Sequence, residues 1–240
     1  MLLKRNKMRK TFIIILLLGW QMLSYAQSVS PTATYNDENG DEQTLEPGGT
    51  CTGSAPLTVH FYANVENTEG YSEHFEWRFY TDSNTDEPEL VRYDADTEYT
   101  FNKAGAHRVA LFATFSLGTD TIAYTIEDYP AFVISVSESK LDFPNAFSPN
   151  GDGINDIYKA KDGYQSIVEF QATIFNRWGQ KLYSWTDPAG GWDGTFNGKA
   201  VADGVYFVNV KAKGADGRVY HIRRDVNLLR GYTENTTVNE

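Results

Sequence analysis

Residues 143–156 read Phe143-Pro144-Asn145-Ala146-Phe147-Ser148-Pro149-Asn150-Gly151-Asp152-Gly153-Ile154-Asn155-Asp156, and this stretch is the most informative one in the 240-residue chain. It concentrates the turn-forming residues proline, glycine, asparagine and aspartate in one loop, shortly after a polar segment at 135–140. Elsewhere, apolar and polar residues alternate in short runs such as 57–63, 109–113 and 205–210. A period of two is typical of half-buried β-strands, so the sequence predicts an all-β chain.

Three further motifs follow the loop in order: Ile174-Phe175-Asn176-Arg177-Trp178-Gly179, Gly191-Trp192-Asp193-Gly194 and Gly204-Val205-Tyr206-Phe207. Together the four motifs resemble the gliding motility-associated C-terminal domain, the type B sorting domain of the type IX secretion system. The resemblance implies that this part of the chain directs export, with the secretion machinery at the outer membrane as its partner. It also implies the following candidates for sorting or recognition: Asn145, Pro149, Asn150, Gly151, Asp152, Gly153, Asn155, Asp156, Asn176, Arg177, Trp178, Gly179, Trp192, Asp193, Gly194, Gly204 and Tyr206.

The first 26 residues predict a cleaved signal peptide. A basic segment at 4–10 precedes an apolar run at 12–18, and Ser24-Tyr25-Ala26 supplies small residues before a cleavage site at Gln27. A membrane anchor is the alternative, but it needs about 20 apolar residues and this run is shorter. We therefore expect no transmembrane segment in the mature chain, and transit through the periplasm to the cell surface or the medium.

The charge of the chain is unevenly distributed. Residues 27–137 contain 19 Asp and Glu against 4 Lys and Arg, a net charge of −15, whereas residues 138–240 contain 13 against 12, a net charge of −1. An acidic surface repels phosphate backbones and so argues against nucleic-acid binding, while it suits cations and basic partners. The single cysteine, Cys51, excludes an intrachain disulfide.

The strand pattern predicts two tandem immunoglobulin-like β-sandwich domains after the signal peptide, since a sandwich of this kind takes about 100 residues. We place the first at 27–136, a linker at 137–141, the type B sorting domain at 142–230 and a polar tail at 231–240. The change in charge balance falls at the same linker.

The first domain resembles a PKD-type immunoglobulin-like domain. The resemblance rests on strand-like runs at 54–61, 75–79 and 99–111, and it implies that Trp77 fills the core between the sheets. The turn typical of that family, Trp-Asp-Phe-Gly-Asp-Gly, is replaced by Trp-Arg-Phe-Tyr-Thr-Asp at 77–82, so no loop function is carried over.

The sequence contains no motif of a known catalytic site, and its four histidines are not paired at metal-ligand spacing. Cys51 lies among glycines, which predicts a loop, with no base beside it to activate the thiol. Acidic pairs at 86–87 and at 94 and 96 would serve a glycosidase only inside a cleft. We therefore expect that the protein is not an enzyme; a small carbohydrate-active or hydrolytic protein is the alternative.

The loop at 148–156 also offers oxygen ligands for calcium, from the side chains of Asn150, Asp152 and Asp156 and the backbone carbonyl of Ile154. Lys159 stands where a calcium loop carries its bidentate glutamate. The alternative is a turn held by its own side chains. The acidic segment at 37–42 is a weaker candidate of the same kind.

Trp178 and Trp192 could each bury a large area at the ends of the second sandwich, whereas Arg177 and Asp193 are candidates for exposed contacts. Taken together, the sequence predicts a non-enzymatic, secreted or surface-displayed protein whose PKD-like module acts in adhesion by binding a glycan or a protein. A structural component of an adhesive or motility complex is a further alternative.

Overall fold

The computed structural model of the chain describes residues 27–82, 84 and 86–232. The predicted signal peptide and most of the predicted polar tail lie outside these residues. The described part of the chain consists of β-strands and loops with no α-helix. It accordingly includes no helix that is long and apolar enough to cross a membrane. The prediction of an all-β chain with tandem immunoglobulin-like sandwiches is confirmed.

The first sandwich contains twelve strands within the described residues. They are β1 Ser28–Val29, β2 Thr32–Asn36, β3 Glu42–Leu45, β4 Thr50–Gly53, β5 Leu57–Tyr62, β6 Val65–Glu66, β7 Ser72–Thr81, β8 Leu90–Arg92, β9 Asp96–Phe101, β10 Gly105–Leu117, β11 Asp120–Tyr124 and β12 Phe132–Val136. One sheet has the order β3-β2-β5-β9 and the other β4-β12-β10-β7-β8, with β11 also paired to β10. All pairs are antiparallel except β4 with β12.

Alternating side chains fill the space between these two sheets. In β5, Leu57, Val59 and Phe61 are buried while the residues between them are partly exposed. Trp77 of β7 is fully buried, its ring centroid lies 5.5 Å from that of Phe61, and its indole nitrogen donates to the carbonyl of Ala95 at 3.0 Å. Trp77 therefore lies in the core, as the resemblance to PKD-type domains implied, and the nitrogen of its side chain has a hydrogen-bond partner.

The second sandwich contains nine described strands. They are β13 Ala146–Phe147, β14 Tyr158–Lys159, β15 Ile167–Phe175, β16 Lys181–Trp185, β17 Gly191–Trp192, β18 Thr195–Phe196, β19 Lys199–Ala200, β20 Gly204–Gly214 and β21 Val219–Leu228. The main sheet has the order β13-β21-β20-β15-β16. The opposite layer consists of two short ribbons, β14–β17 and β18–β19, and the segment that precedes β13.

The core of the second sandwich is separate from that of the first. One face of β20 carries the buried residues Tyr206, Val208, Val210 and Ala212. This face packs with aromatic residues of the opposite layer, among them Phe143, Tyr158 and Trp192, which are fully buried. Each sandwich therefore has its own hydrophobic core.

Hydroxyl groups and backbone atoms join the two sandwiches. Ser166 Oγ accepts a hydrogen bond from the backbone N–H of Ala55 at 3.1 Å and lies 2.9 Å from Ser137 Oγ. A second contact runs from the N–H of Ala104 to the carbonyl of Ala215 at 3.1 Å. Because Ser166 is buried, these bonds hold the end of the second sandwich where β15 begins against the first sandwich.

The predicted linker at 137–141 is packed in place by the second sandwich. Ser139 is buried, and its hydroxyl donates to Asp216 Oδ1 at 2.7 Å and lies 2.9 Å from the hydroxyl of Tyr220. The bond from Ser139 lowers the pKa of the Asp216 carboxyl. Gly214 lies directly beside this serine, since a β-carbon there would come within 2.1 Å of Ser139 Oγ.

We expect Gly214→Ala to destabilise the second sandwich by about 1–3 kcal/mol, the usual cost of forcing extra volume into a packed site. Gly231→Ala is the matched control, because a β-carbon at Gly231 would meet no atom within 4 Å. Calorimetric unfolding of the two variants measures the difference. Equal transition temperatures would show that the linker yields freely and is not fixed by Gly214.

Candidate functional site

The structure brings the four motifs to one end of the second sandwich. In the main sheet, Phe175 at the end of β15 pairs with Phe207, and Gly204 at the start of β20 pairs with Leu228 at the end of β21. Phe147 also pairs with Leu228. We call this the distal end, because the strand ends that contact the first sandwich lie at the other end of the same sheet. β15 has nine residues, which separates the two ends by roughly 25–30 Å.

The loop at 148–156 is held by the carboxylate of Asp156. Gly151, Gly153 and Asn155 all have positive φ, which turns successive backbone N–H groups towards one side of the loop. Asp156 Oδ1 accepts from Asn150 at 2.9 Å and Gly151 at 2.8 Å, and Oδ2 accepts from Gly153 at 2.8 Å. These bonds, led by those from the two glycines, lower the pKa of Asp156.

The other proposed calcium ligands of this loop are also engaged in local hydrogen bonds. Asn150 Oδ1 accepts from the N–H of Asp152 at 3.0 Å, and Asp152 Oδ1 accepts from the N–H of Ile154 at 2.9 Å. Asp152 Oδ2 accepts from Asn150 Nδ2 at 2.9 Å. Converging N–H groups form a site suited to an anion, which here is the loop's own carboxylate. The geometry therefore favours a turn that is held by hydrogen bonds from its own side chains over a calcium-binding loop.

Trp192 is part of the core at the distal end. It is fully buried, and its ring centroid lies 5.1 Å from that of Tyr206 and 5.4 Å from that of Phe147. Its indole nitrogen donates to the carbonyl of Thr195 at 2.7 Å. Asp193 closes the adjoining turn by accepting from the N–H of Thr195 at 2.9 Å. The expectation that Trp192 buries a large area at a sandwich end agrees with its position.

Arg230, which follows the last strand, joins the motif at 191–194 to the loop before β20, a role that the sequence did not indicate. Its guanidinium donates to the carbonyl of Gly194 at 2.8 Å, to that of Val201, and to Asp203 Oδ1 at 3.1 Å. Gly194 has a φ of 77°, and a β-carbon there would come within 3.0 Å of both Arg230 and Pro149. Only glycine fits this close approach without displacing its neighbours.

The hairpin between β15 and β16 places Trp178 in solvent. Asn176 Oδ1 accepts from the N–H groups of Trp178 and Gln180, both at 3.0 Å, and Gly179 has a φ of 80°. The Trp178 side chain is 75% exposed, and the Arg177 guanidinium lies 4.2 Å from the centre of its ring. The expectation that Trp178 buries a large area is therefore wrong, since it stands beyond the last paired residues of its hairpin.

The remaining sorting candidates have mainly backbone roles in the structure. The carbonyl of Asn145 accepts from the N–H of Asn227 at 2.9 Å, and Gly204 has a φ of 147° at the start of β20. Tyr206 donates its hydroxyl hydrogen to the carbonyl of Ala202 at 2.7 Å. Whether a secretion partner contacts these residues stays a prediction.

Two sequence-based interpretations in the first sandwich change with the structure. Cys51 lies in strand β4 rather than in a loop, and burial raises the pKa of its thiol to about 11. A buried, protonated thiol is a poor nucleophile. In the acidic segment at 37–42, Asp37 accepts from the N–H groups of Asn39 and Asp41 and from the side chain of Gln43, so this carboxylate also holds its own turn.

No group of three or more His, Cys, Asp or Glu side chains lies close enough to hold a metal ion within the ranges 27–82, 84 and 86–232.

We expect calcium or a chelator to leave the unfolding temperature unchanged, and Asp156→Asn to lower it. The pKa of Asp156 in the folded state lies below the usual 3.8, so its contribution to stability is present above that pH and is lost as the pH falls through the lowered pKa. Thermal unfolding from pH 7 to pH 2, with and without calcium, measures both effects. If calcium raises the unfolding temperature of the native protein and Asp156→Asn abolishes that rise, the loop binds calcium after all.

We expect Trp192→Ala to cost about 3–5 kcal/mol of stability, because it leaves a large cavity, and Trp178→Ala to change stability by less than about 0.5 kcal/mol. Guanidinium unfolding of the purified variants measures both values. Similar losses in the two variants would contradict the exposed position of Trp178.

Residues 141–222 match the model of the CHU_C family, described as the type IX secretion signal domain. The match covers the loop at 143–156, the hairpin that carries Trp178, the Trp192 turn and the start of β20. It agrees with the resemblance drawn from the four motifs, and it does not extend to the first sandwich.

No curated protein matches the chain. Among solved structures, the Bacteroides ovatus protein SGBP-B of a mixed-linkage glucan utilization locus, in complex with a mixed-linkage heptasaccharide, aligns at 14% identity and a TM-score of 0.27. The alignment covers 80% of this chain and 45% of that one, so the chain spans less than half of its length. A tetra-tandem repeat from the extending region of a large adhesion protein aligns at 12% identity and a TM-score of 0.27, covering 85% of this chain and 68% of that one. Scores this low establish neither a common topology nor a common ligand.

Proposed function

We propose that the protein is a non-enzymatic cargo of the type IX secretion system, exported through its second sandwich and displayed at the cell surface or released. The observation that carries this proposal is the match of residues 141–222 to the type IX secretion signal domain. The signal peptide predicted at 1–26 would take the chain to the periplasm, where the folded second sandwich would meet the outer-membrane machinery.

The position of the motifs supports this function. The first sandwich contacts the second through Ala55, Ser137 and Ser166, at the end where β15 begins. The four motifs lie at the distal end of the same sheet, so the first sandwich leaves them uncovered. A partner can therefore bind the distal end while both sandwiches stay folded.

The first sandwich is the displayed module in this proposal, and its ligand is a glycan or a protein. A surface cleft of about 480 Å³ lies beside β2 and the start of β5. Its lining offers hydroxyl groups from Thr34, Thr52, Ser54 and Thr58, the imidazole of His60, and carboxylates of the acidic segment at 37–42. Hydroxyl and carboxylate groups of this kind form hydrogen bonds with sugars or with polar and basic side chains.

A fusion tests the export function. A fluorescent reporter placed between a signal peptide and residues 138–240 is expressed in a host with an active type IX system and in a secretion mutant of that host. We expect reporter at the surface or in the medium only in the active host, because the second sandwich carries the signal.

The control is the same reporter without residues 138–240, which should stay in the periplasm of both hosts. Periplasmic retention of the complete fusion in the active host would overturn the proposal. The protein would then be better described as a periplasmic binding module.

A further inference from the structure

The hairpin tip carries an exposed tryptophan that the fold does not need. The turn is closed by Asn176 and Gly179, and the Trp178 side chain adds only its contact with Arg177 while remaining 75% exposed. Exposing an indole to water costs free energy in proportion to the apolar area that is exposed. Tryptophan and arginine are the residue types that contribute most often to the energetic centres of protein interfaces.

Three more apolar side chains lie on the outer face of the main sheet at the same end of the sandwich. Phe207 and Val205 point outward from β20, because Tyr206 and Val208 between and beside them are buried. Phe175 faces the same way from β15, since Ile174 before it is buried, and it pairs directly with Phe207. We call these three side chains, together with Trp178, the distal apolar patch.

The charged side chains of the hairpin itself are positive. Between residues 170 and 186 the only charged side chains are Arg177 and Lys181, both exposed. Asp225 lies across the sheet from Phe207, on the side away from the hairpin. A complementary surface would therefore combine an apolar pocket for the indole with an acidic rim near Arg177 and Lys181.

We propose that the distal apolar patch, centred on Trp178, is the surface by which an acidic-rimmed, apolar protein pocket of the secretion machinery holds this domain. The inference rests on the proposed export function and names the contact within it. Trp178 inserts into the pocket, the outward side chains of Phe175, Val205 and Phe207 pack against its edge, and Arg177 pairs with the rim. A protein is favoured over a lipid surface because the patch has a fixed shape on a paired sheet within a domain that matches a secretion signal.

The experiment follows export of the full-length protein with four single substitutions. Trp178→Ala removes the indole, Trp178→Phe keeps an aromatic ring, and Arg177→Glu reverses the charge at the rim. Tyr93→Ala is the matched control, because Tyr93 is an aromatic residue of similar exposure (62%) on the first sandwich. Each variant is purified as well, and its thermal unfolding is compared with that of the native protein.

We expect the exported fraction to fall about tenfold or more for Trp178→Ala and Arg177→Glu, to recover in part for Trp178→Phe, and to stay unchanged for Tyr93→Ala, with native-like unfolding in all four. Native export of Trp178→Ala would overturn the inference and leave the proposed function intact. Failure of the unsubstituted protein to be exported in the active host would overturn both.

A second measurement separates a protein partner from a lipid surface. Purified protein is sedimented with vesicles of mixed phosphatidylcholine and phosphatidylglycerol. We expect no binding. Sedimentation with the vesicles that Trp178→Ala abolishes would overturn the protein pocket in favour of a membrane-surface contact.

Discussion

The continuous pairing of β15, β20 and β21 is the constraint on which the arrangement of the second sandwich depends. These long strands are joined by backbone hydrogen bonds along most of their length, so their two ends are held at a fixed separation. One end contacts the first sandwich through Ser166 and Ala215, and the other carries the sequence motifs. Because the paired strands fix this separation, the contact with the first sandwich and the four motifs lie at opposite ends of the sheet.

Many polar side chains of the loops form hydrogen bonds to the backbone of the same loop. Asp156 satisfies three backbone N–H groups, Asp193 closes the Trp192 turn, and Asp37 does the same in the first sandwich. A carboxylate that already accepts N–H donors has fewer lone pairs for a metal ion. For Asp156, the lowered pKa also makes the carboxyl a poor general acid or base near neutral pH. These acidic residues therefore contribute ordered turns and a charged surface.

Much of the fold could be predicted from the sequence, because alternation in runs such as 57–62 and 205–210 is a local signal that maps directly onto strand faces. The two tryptophan motifs show where local signals end. Trp178 and Trp192 each stand beside glycine and a turn-forming polar residue, yet Trp192 pairs with Tyr158 and points into the core, whereas Trp178 lies beyond its strand. Local signals also fail for Cys51, which the sequence predicts in a loop. Its strand β4 forms by parallel pairing with the distant β12, and no local pattern indicates that pairing. The hydrogen bonds from Arg230 to Gly194, Val201 and Asp203 join loops that are distant in the sequence and meet only in the folded chain.

The uneven charge of the chain would have a physical role if the secretion partner binds the hairpin. The first sandwich lies in the segment of net charge −15, and an acidic rim would repel it, whereas the hairpin presents only Arg177 and Lys181. Under the proposed contact, the field of such a rim would attract the hairpin and repel the first sandwich. Orientation at the machinery would then follow from charge at long range and from the fit of Trp178 at short range. The displayed sandwich could vary in sequence without disturbing the signal, provided that it stays acidic or neutral and leaves the distal end uncovered.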